Sequence, residues 1–194
     1  MSEIQEFIDL LEEKKSKITV NLERPFYVQP EDRISYRAHR ILIILGRLNT
    51  KNGLSKEVVA CVDFLLRNTG YQRSFILQYF DGQKNILKKL KSHRTTDDLI
   101  DSDRNIVQYK SVPWDLRFND MFLYLHIRDL VSFIGSKASL RAVLTVKGNE
   151  YFINVSEIFS QELNFLDLFG SRVSEDKAIR IITEVIPNTY WNQQ

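Results

Sequence analysis

Residues 132–152, "SFIGSKASLRAVLTVKGNEYF", admit two incompatible readings, and the choice between them decides the fold. In one, Gly148-Asn149 is the turn of a hairpin. In the other, the turn is Gly135–Ser139 and Thr145 opens a helix. The second reading is the stronger. "LVSFI" and "LRAVL" are β-prone runs separated by five small or polar residues that include Gly135, which is hairpin chemistry. Thr145 then suits a helix N-cap, with Val146, Glu150, Phe152 and Ile153 following. Gly148 counts against a helix there, and Tyr151–Val155 keeps real strand propensity.

Working outward, Phe118, Met121, Phe122 and Leu125 make one apolar face of a helix that begins after Trp114 and runs to about Arg128. Upstream, from Ser92 to Pro113, the periodicity vanishes and "HRTTDDLIDSDRN" reads as an exposed polar loop. Ile34, Ala38, Ile41, Leu42, Leu45 and Leu48 predict a helix over 34–48, with Arg33, Arg37, Arg40 and Arg47 available to its opposite side. Ser55 can cap the next helix, which is apolar on most sides and must be central. Asn68-Thr69-Gly70 ends it. Helical spacing then continues from Phe75 to Leu90 across a kink or break at Asp81-Gly82.

At the N-terminus, Ile4, Phe7, Ile8 and Leu11 follow the spacing of an amphipathic helix, with Ser2 and Gln5 fitting a capping box. "KITVNLERPFYV" reads as an extended connector. Toward the C-terminus, Ser160 is positioned to cap a further helix. Ile179, Ile182 and Ile186 then form a stripe that Pro187 closes. The predicted class is mainly α with a small β-hairpin: a winged helix-turn-helix core with extra N- and C-terminal helices. Residues 1–32 form the N-terminal helix and connector, and 153–194 the C-terminal helices. The core is 33–152, carrying a basic helical insertion and polar loop at 71–113.

Composition narrows the function. The chain has 194 residues, 43% hydrophobic and 27% charged, with no apolar run approaching the roughly 18–20 residues that span a bilayer. "MSEIQEFIDLLEEKK" is too acidic for a signal peptide, so the expectation is a soluble, cytoplasmic protein. Cys61 is the single cysteine and lies in an apolar run, the usual place of an inert thiol. His39, His93 and His126 are isolated, and no phosphate-cradling or nucleophile-elbow motif occurs. Asp97, Asp98, Asp101 and Asp103 lack the spacing of a calcium loop. No catalytic residue, metal or cofactor is expected.

The net charge of +2 hides a segregation. Thirteen Lys or Arg stand against three acids between Arg33 and Arg94, and fourteen against twenty-two elsewhere. That asymmetry points to an anionic partner, or to mutual neutralisation of the two parts. Lys84, Lys88, Lys89, Lys91 and Arg94 form the main candidate for nucleic acid or an acidic protein face. Lys137 and Arg141, beside the hairpin turn, form a second. Ile4, Phe7, Ile8 and Leu11, and the stripe Ile179, Ile182 and Ile186, are the candidate protein interfaces, to another protein or to a second copy.

"RAHRILIILGRLNTKNGLSKEVVACVDFLLRN", "WDLRFNDMFLYLHIRDLVSFI" and "LTVKG" together resemble the small middle component of bacterial ABC three-component systems. The likeness lies in an apolar helix, a short polar break, and a helix ending in Asp63–Leu66. Leu144–Gly148 then resembles the way many winged helices leave their wing. It covers about half the chain through core and cap residues. The resemblance implies a non-enzymatic winged-helix adaptor that joins an SMC- or Rad50-like ATPase to an effector in defence against phage or foreign DNA. The rival expectation is a free-standing DNA-binding regulator whose 117–128 helix enters the major groove.

Overall fold

A computed structural model describes residues 33–48, 52–81, 83–90, 106–136, 139–170, 173–187 and 191. Over these the chain is mainly helical with two small antiparallel sheets. Helix α1 (Ile34–Arg47) leads to the two-residue strand β1 (Leu54–Ser55), then to α2 (Lys56–Arg67), α3 (Thr69–Tyr79) and α4 (Lys84–Leu90). The hairpin β2 (Ile106–Tyr109) and β3 (Val112–Asp115) precedes α5 (Phe118–Ile127), and the hairpin β4 (Val131–Ile134) and β5 (Arg141–Leu144) follows it. Helix α6 (Val146–Val155), α7 (Ser160–Leu166) and α8 (Glu175–Val185) complete the order, with 3-10 turns at Ser156–Phe159 and Asp167–Phe169.

The stretch 132–152 is a hairpin followed by a helix. Val131 pairs with Leu144 and Ile134 with Arg141, so the turn falls after Gly135, whose φ of +99° suits glycine. Thr145 caps α6, its hydroxyl accepting from Gly148 N at 2.9 Å. Gly148, the residue that argued against a helix, is there for space: a Cβ would lie 1.9 Å from the Leu130 carbonyl oxygen. The helix start can therefore press against the end of the α5 segment. Strand β1 adds to the far side of β5, giving the order β1-β5-β4.

Helix α2 is buried at every residue from Val58 to Arg67, and Ser55 caps it by accepting from Val58 N. Around it pack α1, α3, α8 and β3, while α1 also supports α5 and α6. The ends of α2 and α3 are separated by Asn68 alone, and Asp81 at φ +50° breaks the chain between α3 and α4.

Three sequence readings are corrected. The polar stretch before Pro113 is not all loop, since β2 and β3 pair from Ile106↔Asp115 to Tyr109↔Val112. Ser160 begins α7 without serving as its side-chain cap. Arg37 and Arg40 are not on an open face: both are buried.

Candidate functional site

The buried charges come first, because they fix the position of α5. Arg40 Nε donates to Asp63 Oδ1 at 2.7 Å, and Arg67 Nη1 to Asp115 Oδ2 at 2.8 Å. Arg37 pairs with the same Asp115 carboxylate. All five side chains are nearly inaccessible, so three guanidiniums share two carboxylates where water is excluded. Asp115 does a further job: its Oδ1 accepts from Arg117 N at 2.8 Å, which ties the turn before α5 to α1 and α2.

The other end of α5 is laced to α6. Asp129 takes a left-handed φ of +58°, and its carbonyl accepts from the Thr145 hydroxyl at 2.6 Å. Lys147 Nζ donates to the Arg128 carbonyl at 2.9 Å, and Thr145 N to Leu130 O at 3.1 Å. Phe118, Met121, Phe122 and Leu125 fill the core, as the sequence pattern required.

The opposite side of α5 carries a second apolar set that the sequence reading passed over. Leu123 and Ile127 are exposed, Ile127 to 72%, with exposed Asp120 one turn before Leu123, and exposed Leu116 lies in the turn that leads into the helix. Helix α6 repeats the arrangement: Val146 is 79% exposed, Ile153 67%, and Glu150 lies between. Ile158 continues the series beyond it. Spacings of four and three residues put each set on one helix face. Large apolar side chains exposed on each of two tied helices, with acids among them, have the composition of a protein-contact surface. The Arg128 guanidinium stacks on Tyr124 at 3.8 Å, and Tyr151 meets His39 of α1 at 3.3 Å between hydroxyl and Nε2.

A cleft of about 530 Å³ opens on another side, lined by Ser55, Lys56, Tyr109, Lys110, Trp114 and Arg141 among others. Lys110 and Ser111 join β2 to β3 with φ of +48° and +65°, the sign pattern of a type I′ turn. Neither is glycine, so each left-handed residue costs about 1–2 kcal/mol. The turn is held at both residues, Lys110 Nζ bonding Glu57 Oε1 at 3.0 Å and Ser111 O accepting from Thr183 at 2.9 Å. Burial pushes the Glu57 carboxyl up. Hydrogen bonds from Lys110 and its own backbone, with the Lys110 and Lys56 charges, outweigh that and hold it below its ordinary value.

The predicted site residues are dispersed. Lys84, Lys88 and Lys89 all fall on α4, where Lys88 and Lys89 are exposed. Arg141 is half-buried, bonding the Asn52 and Gly53 carbonyls and the Glu175 carboxylate, which joins β5 to the start of α8. Ile182 and Ile186 are buried in the chain's own core and Ile179 is packed against it, so the α8 stripe is already occupied. Lys91, Arg94, Lys137, Ile4, Phe7, Ile8, Leu11 and the Asp97–Asp103 cluster lie outside the described residues. Cys61 is fully buried, and burial raises its thiol far above the ordinary value. Among the described residues no group of His, Cys, Asp or Glu is arranged to hold a metal ion, and no helix is long and apolar enough to cross a membrane.

Comparison with protein-family models, curated proteins and solved structures gave no match.

Proposed function

We propose that this chain is a winged-helix adaptor subunit without catalytic activity of its own. In this reading it links an SMC- or Rad50-like ATPase to an effector in a bacterial defence complex. The connectivity supports the winged-helix assignment: α1, β1 and α2, then α5, β4 and β5, with sheet order β1-β5-β4. Helices α3 and α4 and the β2–β3 hairpin are then an insertion before the third helix of the motif.

The observation that carries the adaptor role is the outer face of α5. In a DNA-reading winged helix this element meets phosphates and base edges, work suited to cations and amides. Here the exposed positions include Leu123 and Ile127 with Asp120 beside them. A carboxylate facing phosphates is repelled, and two large apolar groups gain nothing in a hydrated groove. The regulator reading is the weaker for that reason, while protein docking uses all three side chains.

The test is co-expression with the products of neighbouring genes, comparing the native chain with a Leu123→Glu/Ile127→Glu double variant. The native chain should co-elute with the ATPase subunit, and the variant should stay folded and elute alone. Association indifferent to both substitutions, or tight binding of the isolated chain to a palindromic duplex, refutes the proposal.

A further inference from the structure

We infer that the cleft between the two hairpins binds single-stranded nucleic acid, with phosphate at Lys56 and an unstacked base on Tyr109. Lys56 makes the strongest case. Its ammonium lies 5.1 Å from the ring centres of both Phe122 and Phe133, and its hydrogen-bond partner is the neutral Asn119 Oδ1 at 3.2 Å. No carboxylate is within ion-pair distance of it among the described residues, unlike Lys110 with Glu57 and Arg141 with Glu175. The Glu57 carboxylate, which also lines the cleft, acts on Lys56 from beyond ion-pair distance and is itself bonded by Lys110. A partly desolvated cation whose hydrogen-bond partner is neutral still gains from an anion in direct contact.

The aromatic half of the site is as well placed. Tyr109 and Trp114 are diagonal neighbours on β2 and β3, Tyr109 pairing with Val112 and Trp114 with Val107. Their ring centres are 5.2 Å apart, and Tyr109 is 45% exposed. Lys110 Nζ lies 5.3 Å from the Tyr109 ring centre, so a base would stack on the part of the ring that remains exposed. A cation beside a part-exposed aromatic ring is what single-stranded nucleic acid uses, since every base has a π-face and every linkage a charge. A duplex hides those faces, and a recess between two hairpins does not present the protruding element that a major groove accepts. The cleft volume of about 530 Å³ suits one or two nucleotides. An acidic peptide would satisfy Lys56 but leave the Tyr109 face without a planar partner. This inference does not rest on the docking face of α5 and α6.

The experiment titrates the full chain with fluorescein-labelled dT15, following anisotropy and, in a Trp191→Phe background, quenching of Trp114. With the one phosphate contact at Lys56, Kd should rise about 2.6-fold between 50 and 200 mM salt. Lys56→Gln and Tyr109→Ala should each weaken binding about tenfold, at the scale of one lost stacking contact. Lys56→Arg and Tyr109→Phe should restore it, which separates ligand contact from folding. The inference is overturned by absence of binding at 50 mM salt, by a duplex binding as tightly, or by a polyglutamate peptide displacing dT15 at equal concentration. Binding lost in Lys88→Gln/Lys89→Gln but kept in Lys56→Gln overturns it as well, since the basic helix α4 would then be the site.

Discussion

Helices α8 and α5 are nearly equal in length and rich in large apolar side chains, and they dispose of them in opposite ways. On α8, Ala178, Ile181 and Ile182 are buried against the core while Arg180 and Glu184 face solvent. On α5 the inner face is just as buried, yet the outer face keeps Leu123 and Ile127 in water. A helix whose apolar residues form one stripe is explained by its own fold. One that is apolar on both sides, and tied down at both ends, has apolar surface in excess of what folding needs. That excess is where a partner gains the most.

The contrast rests first on Asp115, which fastens the start of α5 to α1 and α2. Replacing it with alanine removes the carboxylate shared by the buried Arg37 and Arg67 and the acceptor for Arg117 N. The expected loss is about 3–5 kcal/mol, the usual cost of breaking a buried charge pair from one side. Urea unfolding measures it, and a change under 1 kcal/mol would mean that α5 is held by its apolar face alone.

Next comes the pair of isoleucines that defines the difference. Ile182→Ala should cost about 3 kcal/mol, in the middle of the range for a buried isoleucine truncated to alanine. Ile127→Ala should stay within about 0.5 kcal/mol, as exposed sites do. If the two truncations cost the same, Ile127 is covered within the monomer and the docking face is not free.

How much of this was legible in the sequence depends on how far apart the interacting residues are. Hairpin and helix could be read at 132–152 because their signals are local: Gly135 at the turn, Thr145 at the cap. The β2–β3 hairpin was hidden because its turn is Lys110-Ser111 without glycine and Pro113 interrupts the strand pattern. Arg37 and Arg40 looked solvent-facing because their carboxylates come from Asp115 and Asp63, far along the chain. The outer face of α5 did carry a signal, since Leu123 and Ile127 keep helical spacing off the core stripe. An apolar residue outside the stripe is easily taken for ordinary surface. Lys56 gave none: only the fold brings Phe122 and Phe133 beneath it.

The smallest expected effect concerns His39, which lies on α1 where the docking face meets the interior. Burial lowers its pKa below the ordinary 6.5, and the Arg128 charge lowers it further. Its Nε2 faces the Tyr151 hydroxyl. Because the folded chain resists the proton that the unfolded chain accepts, the contribution of neutral His39 is complete above about pH 6.5. It declines as pH falls through that value and levels off below the folded pKa. Between pH 7.5 and 5.5 the Tm of the native chain should therefore drop more than that of His39→Gln. Parallel curves would show that His39 titrates as it does in an unfolded chain. Arg128→Gln supplies the sharper reading, since removing the guanidinium should move the His39 NMR titration midpoint upward while burial keeps it under 6.5. A partner carboxylate arriving at Arg128 would act in the same direction. His39 would then report occupancy of the α5 face, whereas the buried stripe of α8 has no such reporter.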